Sequence, residues 1–146
     1  MTEAEAREII ATLELAPHPE GGHFREIYRQ RPADGGRSAM TSIYYLLAPG
    51  EQSAWHRLSG ADELWYYHAG DTLELRLSTE GEPYETHRLG TGLAQGERPQ
   101  VIVPAGCWQS ASVLGAWSLV GCAVSPGFEF SDFELAPPGF APAPAG

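Results

Sequence analysis

The sequence contains no lysine, so arginine supplies every basic side chain other than histidine. This absence excludes Schiff-base chemistry on a lysine amine. Basic residues of any kind are scarce: 9 arginines stand against 19 acidic residues, and the formal net charge is −10. Because nucleic acids and anionic membrane surfaces attract proteins through Lys and Arg side chains, we expect neither as a partner.

Cysteine and long apolar runs are also scarce. The chain has two cysteines, Cys107 and Cys122, and no apolar stretch approaches the roughly 18 residues of a membrane-spanning helix. The first ten residues, MTEAEAREII, lack the basic start and apolar core of a signal peptide, so we expect none. These features predict a cytoplasmic protein in which both thiols stay reduced.

Glycine and proline, by contrast, are plentiful, with 17 and 12 residues. They separate short runs rich in β-branched and aromatic residues, such as 40–47 (MTSIYYLL). The one clear helical pattern lies at residues 2–14, where Thr2 and Glu5 match a capping box. No helical patterns separate the other runs, which argues against parallel βαβ units. We therefore predict an all-β fold, a two-sheet antiparallel roll or barrel with a short N-terminal helix.

The length of 146 residues suits one domain. Residues 1–135 carry the helix and strand patterns and form the predicted domain. Residues 136–146 (APPGFAPAPAG) are rich in Pro and Ala, and we expect a disordered tail there. A small barrel has sheet edges to protect, and the strand predicted at residues 37–47 is apolar and aromatic, so we expect a homodimer.

Two segments stand out by the spacing of their glycine, histidine, glutamate and proline residues. The first has five, six and six residues between Gly50, His56, Glu63 and Gly70, and the second has two residues between Pro104-Ala105-Gly106 and Gln109. This frame resembles the paired motifs of the cupins, which contain three histidines and a glutamate as metal ligands. The chain departs from that pattern at Leu58 and Gln109, which occupy the places of the second and third histidines.

A narrower resemblance covers about residues 10–135. The stretches HPEGGHFREIY, SIYYLLAPGEQSAWHRL, DELWYYHAGDTLEL, VPAGCWQSA and SPGFEFSDFEL are similar to the DUF985 or "cupin 5" family of RmlC-like cupins. The resemblance implies a cupin-type antiparallel double-stranded β-helix, a jelly-roll barrel, that commonly pairs as a dimer. Function in this family is largely unassigned, and the fold resembles that of sugar-nucleotide epimerases and germins.

Strand alternation indicates which side chains share the barrel interior. If His56, Glu63 and Gln109 face inward, the cavity holds an imidazole, a carboxylate and an amide, and Trp65 and Tyr67 lie on the face of Glu63. The candidate catalytic residues are His56 as a general base, Glu63 as its orienting carboxylate and Tyr67 as the group that returns the proton. The candidate ligand-binding residues are Trp65, Gln109 and Arg25.

A metal site would use His56, Glu63 and Gln109, because imidazole and carboxylate bind divalent transition ions and an amide oxygen is a weaker ligand. Leu58 supplies no donor, and His68 would need a β-bulge to turn inward. We therefore expect weak or absent metal binding, with a divalent transition metal as the alternative. The remaining histidines are expected at the surface or in turns: His18, His23 and His87.

Three functions stay open at this point. The first is a metal-independent pocket for a small molecule, with isomerase or epimerase activity on a sugar-like ligand, a carbohydrate or a nucleotide sugar. Its link to epimerases rests on fold analogy. The second is a metal-dependent oxygenase or lyase, and the third is a non-catalytic binding or storage module.

Overall fold

The computed structural model describes residues 2–145, which form one helix, eleven strands and two short 3-10 helices. The helix α1 spans Glu3–Leu13. The strands are β1 (Ala16–Pro17), β2 (His23–Arg29), β3 (Thr41–Leu47), β4 (Gln52–Leu58), β5 (Asp62–Gly70), β6 (Leu73–Ser78), β7 (Glu85–Leu89), β8 (Gln100–Val103), β9 (Trp108–Val113), β10 (Ser118–Ser125) and β11 (Phe133–Leu135). The 3-10 helices span Leu93–Gln95 and Phe130–Asp132.

The strands form two antiparallel sheets that face each other. Sheet A has six strands in the order β1-β2-β3-β10-β5-β8, and sheet B has five in the order β11-β4-β9-β6-β7. The main core lies between the sheets and includes Trp65, Leu73, Leu75, Leu89 and Val120. The all-β fold predicted from the sequence is therefore confirmed.

The N-terminal helix closes part of the outer face of sheet A. The predicted capping box is confirmed: the Thr2 hydroxyl accepts the Glu5 N–H at 3.2 Å, and the Glu5 carboxylate accepts the Thr2 N–H at 2.5 Å. The helix packs on this face through a second apolar cluster formed by Ala6, Leu15, Leu46 and Trp117. Within residues 2–145, no helix has the length and apolar character needed to cross a membrane.

Strand β3 differs in position from the expectation that it is a sheet edge protected by a second copy of the chain. It lies inside sheet A, with β2 on one side and β10 on the other. The edges of this sheet are β1 and β8. The aromatic composition of β3 therefore reflects packing on both of its faces, against the core and beneath α1.

The C-terminal segment also differs from the expected disordered tail. Residues 137–145 lie against the outer face of sheet B, where the Phe140 ring packs on Trp108 at 4.7 Å and on Trp55 at 5.8 Å between ring centroids. The Tyr84 N–H donates to the Ala143 carbonyl at 2.8 Å. Trp55 and Trp108 thus give the Pro- and Ala-rich segment an apolar surface on which to pack. Gly146 lies outside the described residues.

Candidate functional site

One cavity lies between the sheets where residues 128–133 close one end of the barrel. Its volume is about 110 Å³, which is room for about four water molecules at the density of the liquid. Four buried polar side chains form its inner end, His18, Glu20, His56 and Glu63. Its walls are mostly apolar, from Phe24, Ile43, Leu58, Cys122, Val124, Phe128 and Phe133.

His56 is turned into the cavity by a β-bulge in β4. Opposite β9, Ser53 pairs with Ala111 and His56 pairs with Gln109, so β4 holds one extra residue between these two pairs. The bulge frees the Ala54 carbonyl oxygen, which lies 2.7 Å from His56 Nδ1. Because a carbonyl oxygen only accepts, Nδ1 carries the proton, and Nε2 is left as an unprotonated nitrogen for the cavity.

Glu63 is held from behind by a chain of two hydrogen bonds. Trp65 Nε1 donates to Gln109 Oε1 at 2.9 Å, and Gln109 Nε2 donates to Glu63 Oε1 at 2.8 Å. Because an indole N–H only donates, Trp65 determines which end of the Gln109 amide faces Glu63. Gln109 and Trp65 are fully buried, and neither contributes to the cavity wall. The structure therefore gives them positions that orient Glu63, in place of the ligand contacts expected from the sequence.

Two further cavity residues, His18 and Glu20, come from the turn between β1 and β2. His18 was expected at the surface or in a turn; it is in the turn, but its ring is buried against Phe24, 4.5 Å away between centroids. The Glu20 carbonyl oxygen accepts the Ala54 N–H at 2.8 Å, so the turn is joined to the bulge that orients His56.

The glycines that follow Glu20 allow this turn to fold inward. Gly21 has φ 108°, and a Cβ at this position would collide with the Gln52 carbonyl oxygen. Gly22 has φ 76° and lies against the Tyr45 ring. Only glycine suits a positive φ at such close approach. The Gly-Gly pair directly after Glu20 is the sequence signal that could have drawn attention to this turn, which the sequence analysis did not assign to the cavity.

The Glu20 carboxyl group lies between the two imidazoles. Oε2 is 3.3 Å from His56 Nδ1, and Oε1 is 3.3 Å from His18 Nδ1. The Ser53 hydroxyl also hydrogen-bonds Oε2. Glu20 thus occupies the orienting position that the sequence analysis assigned to Glu63.

Burial sets the protonation of all four groups. It raises the pKa of Glu20 to about 8, against the hydrogen bond from Ser53, and raises the pKa of Glu63 to about 7, against the attraction of His56. It lowers the pKa of His18 to about 4, with a further contribution from His56, and it also lowers the pKa of His56. Near neutral pH the cluster therefore consists mainly of neutral groups, and the contacts around Glu20 are hydrogen-bonding contacts more than ion pairs.

The cavity mouth carries charge, and Arg29 is at its centre. Its guanidinium binds both oxygens of Glu26 at 2.9 Å, donates to the Phe128 carbonyl at 2.9 Å and lies 3.5 Å from Glu129. Arg29 therefore holds residues 128–129, which follow β10, over the cavity. The mouth is acidic on balance, because two carboxylates surround one guanidinium.

The expected cavity residue Arg25 lies elsewhere. Its side chain is 48 % exposed and pairs with Glu14 at 3.1 Å beside the end of α1. Side chains alternate along β2, and Phe24 and Glu26 are the ones that face the cavity. A bulge between Glu26 and Tyr28 then returns Arg29 to the same face.

Tyr67 also lies away from the cavity. Its hydroxyl donates to the Gly70 carbonyl at 2.6 Å, at the end of β5, and its ring packs against the main core. Tyr67 lies four positions after Glu63 along β5, a distance of about 13 Å in an extended strand. Trp65 fills the interior between them. The structure thus does not bring Tyr67 to His56 and Glu63 as a proton-returning group.

The residues do not fit the four-ligand metal site of the cupin motifs. Leu58 contributes an apolar wall in place of a histidine. The oxygen of the Gln109 amide is used by Trp65, and its NH₂ end, which repels cations, faces Glu63. Among residues 2–145, no group of three or more His, Cys, Asp or Glu side chains is placed to hold a metal ion.

Two antiparallel sheets closed around an interior cavity, with His56 and Glu63 at matching motif positions, define a barrel of the cupin class. The family model described as Cupin superfamily (DUF985) matches residues 7–136. The chain therefore belongs to this family. Among curated proteins, none matches the chain in sequence.

Solved structures support the same assignment. A crystal structure of a protein from Shewanella oneidensis is 48 % identical, with a TM-score of 0.85 over 90 % of this chain and 84 % of that one. A hypothetical protein from Leishmania major is 36 % identical, with a TM-score of 0.80 over 90 % of this chain and 86 % of that one. A Bacillus subtilis oxalate decarboxylase shares the fold alone, at 18 % identity and TM-score 0.62 over 83 % of this chain and 29 % of that one.

Proposed function

We propose that this cupin is a metal-independent isomerase that moves a proton within a small, sugar-like carbonyl compound. The observation that carries the proposal is the pairing of an unprotonated imidazole nitrogen, His56 Nε2, with the Glu63 carboxyl in one cavity. General acid–base catalysis works best with groups whose pKa values lie near the working pH. Burial brings the pKa of Glu63 to about 7, so this carboxyl can both give and take a proton.

The proposed reaction returns both groups to their starting state. The proton on the carbon beside the carbonyl passes to His56 Nε2, and the Glu63 proton passes to the carbonyl oxygen, which gives an enediol. His56 then returns its proton to the former carbonyl carbon, while the hydroxyl proton on the carbon that lost its hydrogen in the first step passes to Glu63, and the carbonyl forms on that carbon. The double bond has moved by one position, and no oxidant, reductant or metal is consumed.

The cavity supports a ligand smaller than a nucleotide sugar. Its volume of about 110 Å³ suits a molecule of monosaccharide size or less. The rings of Phe24, Phe128 and Phe133 offer apolar surfaces to the C–H faces of a sugar, while the polar groups lie together at the inner end. This arrangement of apolar walls with few convergent polar groups is typical of small-molecule sites.

Solvent exchange tests the proposal without knowledge of the natural substrate. The protein is incubated in D₂O with a panel of free three- to six-carbon aldoses and ketoses, and ¹H NMR follows the signal of the hydrogen beside the carbonyl. We expect loss of that signal for at least one compound, and a loss of rate by at least about 100-fold in His56→Gln. Glu63→Gln should lose activity without a change in metal content.

His87 provides the matched control, because its side chain is 40 % exposed and lies on β7, outside the cavity lining. His87→Gln should exchange at the wild-type rate. Saturable binding of a sugar without any exchange would replace the isomerase proposal with the binding-module alternative. Stoichiometric iron, manganese, nickel or zinc that survives mild chelation and is needed for activity would favour the metal-dependent alternative.

We also propose that the protein is a homodimer formed through the part of sheet A that α1 leaves open. Five outward-facing residues occupy successive register positions across β2, β3, β10, β5 and β8: Tyr28, Ser42, Ala123, Leu64 and Ile102. Tyr28 and Ile102 are large and exposed at the two ends of this row. A mostly apolar row of this kind suits a second copy of the same surface.

Light scattering tests the dimer. The wild type should be dimeric at micromolar concentration, and Ile102→Glu should be monomeric because it places a charge in the row. Leu93→Glu is the matched control, since Leu93 and Ile102 are both 60 % exposed and Leu93 lies in a 3-10 helix outside the row. A monomeric wild type, or a dimer that survives Ile102→Glu, would reject this interface.

A further inference from the structure

We propose that His18 is a second catalytic residue of the cavity, a neutral hydrogen-bond donor that acts opposite the His56 base on the carbonyl oxygen of the ligand. The inference rests on the function proposed above and adds a residue and a ligand class to it. His18 and His56 hold opposite tautomers, so together they match a ligand that carries a carbonyl oxygen next to an acidic C–H.

The tautomer of His18 follows from its backbone neighbour. The Glu20 N–H donates to His18 Nδ1 at 3.1 Å, so Nδ1 carries a lone pair and the proton of the neutral ring lies on Nε2. Glu20 Oε1 lies 3.3 Å from the same nitrogen, on the same side of the ring. With Nδ1 engaged, Nε2–H is the polar group that the His18 ring leaves for the cavity it lines.

The tautomer of His56 is the reverse. Its Nδ1–H donates to the Ala54 carbonyl, and Nε2 has no protein partner among residues 2–145. One carboxyl group, Glu20, lies 3.3 Å from both Nδ1 atoms. A protonated Glu20 is compatible with both neutral rings: its carbonyl oxygen Oε2 accepts from the Ser53 hydroxyl and lies beside the His56 Nδ1–H, and its hydroxyl oxygen Oε1 lies beside His18 Nδ1, whose lone pair accepts the Glu20 N–H. We therefore assign Glu20 as the positioning residue that joins the pair.

Burial keeps His18 in the neutral form that this role requires. It lowers the pKa of His18 to about 4, and His56 contributes in the same direction. A neutral imidazole can still polarise a carbonyl by donating a hydrogen bond, because negative charge develops on the oxygen as the neighbouring C–H bond breaks. His18 gives up no proton in this step, which leaves the proton balance with His56 and Glu63 unchanged.

The charges around the cavity indicate a ligand without an anionic group. Of the four carboxyl groups that line it, burial favours the neutral form of Glu20 and Glu63, while the carboxylates of Glu26 and Glu129 flank Arg29, the one guanidinium in the lining. Both arms of that guanidinium are already occupied by Glu26, Glu129 and the Phe128 carbonyl. A phosphate or carboxylate on the ligand would therefore meet like charges without a free cation. The expected ligand is a neutral hydroxyaldehyde or hydroxyketone.

The tautomers can be measured on the ligand-free protein. Long-range ¹H–¹⁵N spectra of protein labelled at histidine, recorded at neutral pH and assigned with His18→Gln and His56→Gln, report which ring nitrogen carries the proton. We expect Nε2–H for His18 and Nδ1–H for His56. A proton on Nδ1 of His18, or a charged His18 ring, would overturn the assignment.

A second arm uses the exchange assay with the sugar that the wild type exchanges fastest. His18→Phe, which suits the surrounding aromatic rings but cannot donate, should lower kcat by roughly 100-fold. His18→Gln keeps an N–H donor and should recover part of that loss, which a purely structural role would not predict. Wild-type kcat in His18→Phe would overturn the proposal. Absence of exchange in the wild type would count against the isomerase function, and the tautomer measurement would still decide the role assigned to His18.

The anion prediction is tested with matched pairs. Glyceraldehyde should be exchanged faster than glyceraldehyde 3-phosphate, and glucose faster than glucuronate. The reverse order in both pairs would overturn the assigned ligand class.

Discussion

The two ends of the barrel interior are equally buried but chemically different. One end is filled by Leu73, Leu75 and Leu89, which are completely buried. The other holds His18, Glu20, His56 and Glu63, which are almost as inaccessible yet surround a cavity. The Trp65–Gln109 pair separates the two, since its indole belongs to the packed end and its amide supports Glu63. Burial alone therefore does not mark a functional site. Buried polar atoms that line a cavity do mark one.

The largest expected effect separates the two ends by their response to truncation. Leu75→Ala at the packed end should lower the free energy of unfolding by about 3–4 kcal/mol, because it removes apolar contacts and leaves an empty space. Leu58→Ala at the cavity wall should cost about 1–2 kcal/mol, since it widens a space that water already reaches. Urea unfolding measures both. Equal losses would mean that the two ends are packed alike.

The second prediction concerns pH. The folded protein keeps a proton on Glu20 up to about pH 8, whereas the unfolded chain loses it at the ordinary value of 4.5. Stability from Glu20 is therefore fully present below pH 4.5 and falls as the pH rises toward 8. Glu20→Gln removes this dependence, and its free energy of unfolding relative to wild type should rise by about 4 kcal/mol over that window.

Glu85→Gln is the control for this comparison, because the Glu85 side chain is 77 % exposed. Its stability relative to wild type should stay constant across the same pH range. Comparison of each variant with wild type at every pH cancels the opposite contribution of His18, whose lowered pKa makes the fold gain stability as the pH rises through 4 to 6.5. A constant difference for Glu20→Gln would show that Glu20 is ionised in the folded state.

The third prediction addresses the layer between the two ends. Gln109→Leu leaves the Trp65 N–H without its acceptor and Glu63 without its donor. The loss should be about 2 kcal/mol, because buried polar groups without partners cost more than the hydrogen bond itself contributes. Gln100→Leu on the exposed strand β8 is the control and should change stability little. An unchanged free energy of unfolding in Gln109→Leu would mean that water replaces the amide.

The last prediction concerns metal affinity and rebuilds the missing ligands. Leu58→His with Gln109→His restores both missing imidazoles and should raise affinity for Ni²⁺ or Zn²⁺ above that of wild type, measured by calorimetry. Each single variant should bind more weakly than the double variant. Tight, stoichiometric binding by the wild type would contradict the donor analysis of the cavity.

The strands were predictable because their signals are local. A run of β-branched and aromatic residues at 40–47 marked β3, glycine and proline marked the turns, and Thr2 with Glu5 marked the helix start. The motif frame likewise led to His56 and Glu63. His18 and Glu20 could not be found this way, because they enter the cavity through a turn and have no periodic pattern. Tyr67 was wrongly assigned to the cavity because strand parity describes a whole face and the cavity occupies only part of it. Arg25 was wrongly assigned because it lies on the face of β2 opposite to Phe24 and Glu26, which line the cavity.

The sequence by itself determined the all-β class, the N-terminal helix, the family and the loss of two metal-ligand positions, since each is written in residue types at fixed spacing. Only the tertiary structure decided what surrounds His56. Strict alternation along β4 would place Ala54 on the same face as His56. The extra residue in β4 places Ser53 on that face instead and leaves the Ala54 carbonyl oxygen to orient the His56 ring. A bulge shifts every side chain that follows it, and the turn at residues 18–22 meets it through contacts about 35 residues apart in the chain, such as the Ala54 N–H to the Glu20 carbonyl. Such distant contacts form only when both sheets are closed, which is why the acid–base cluster is a property of the fold.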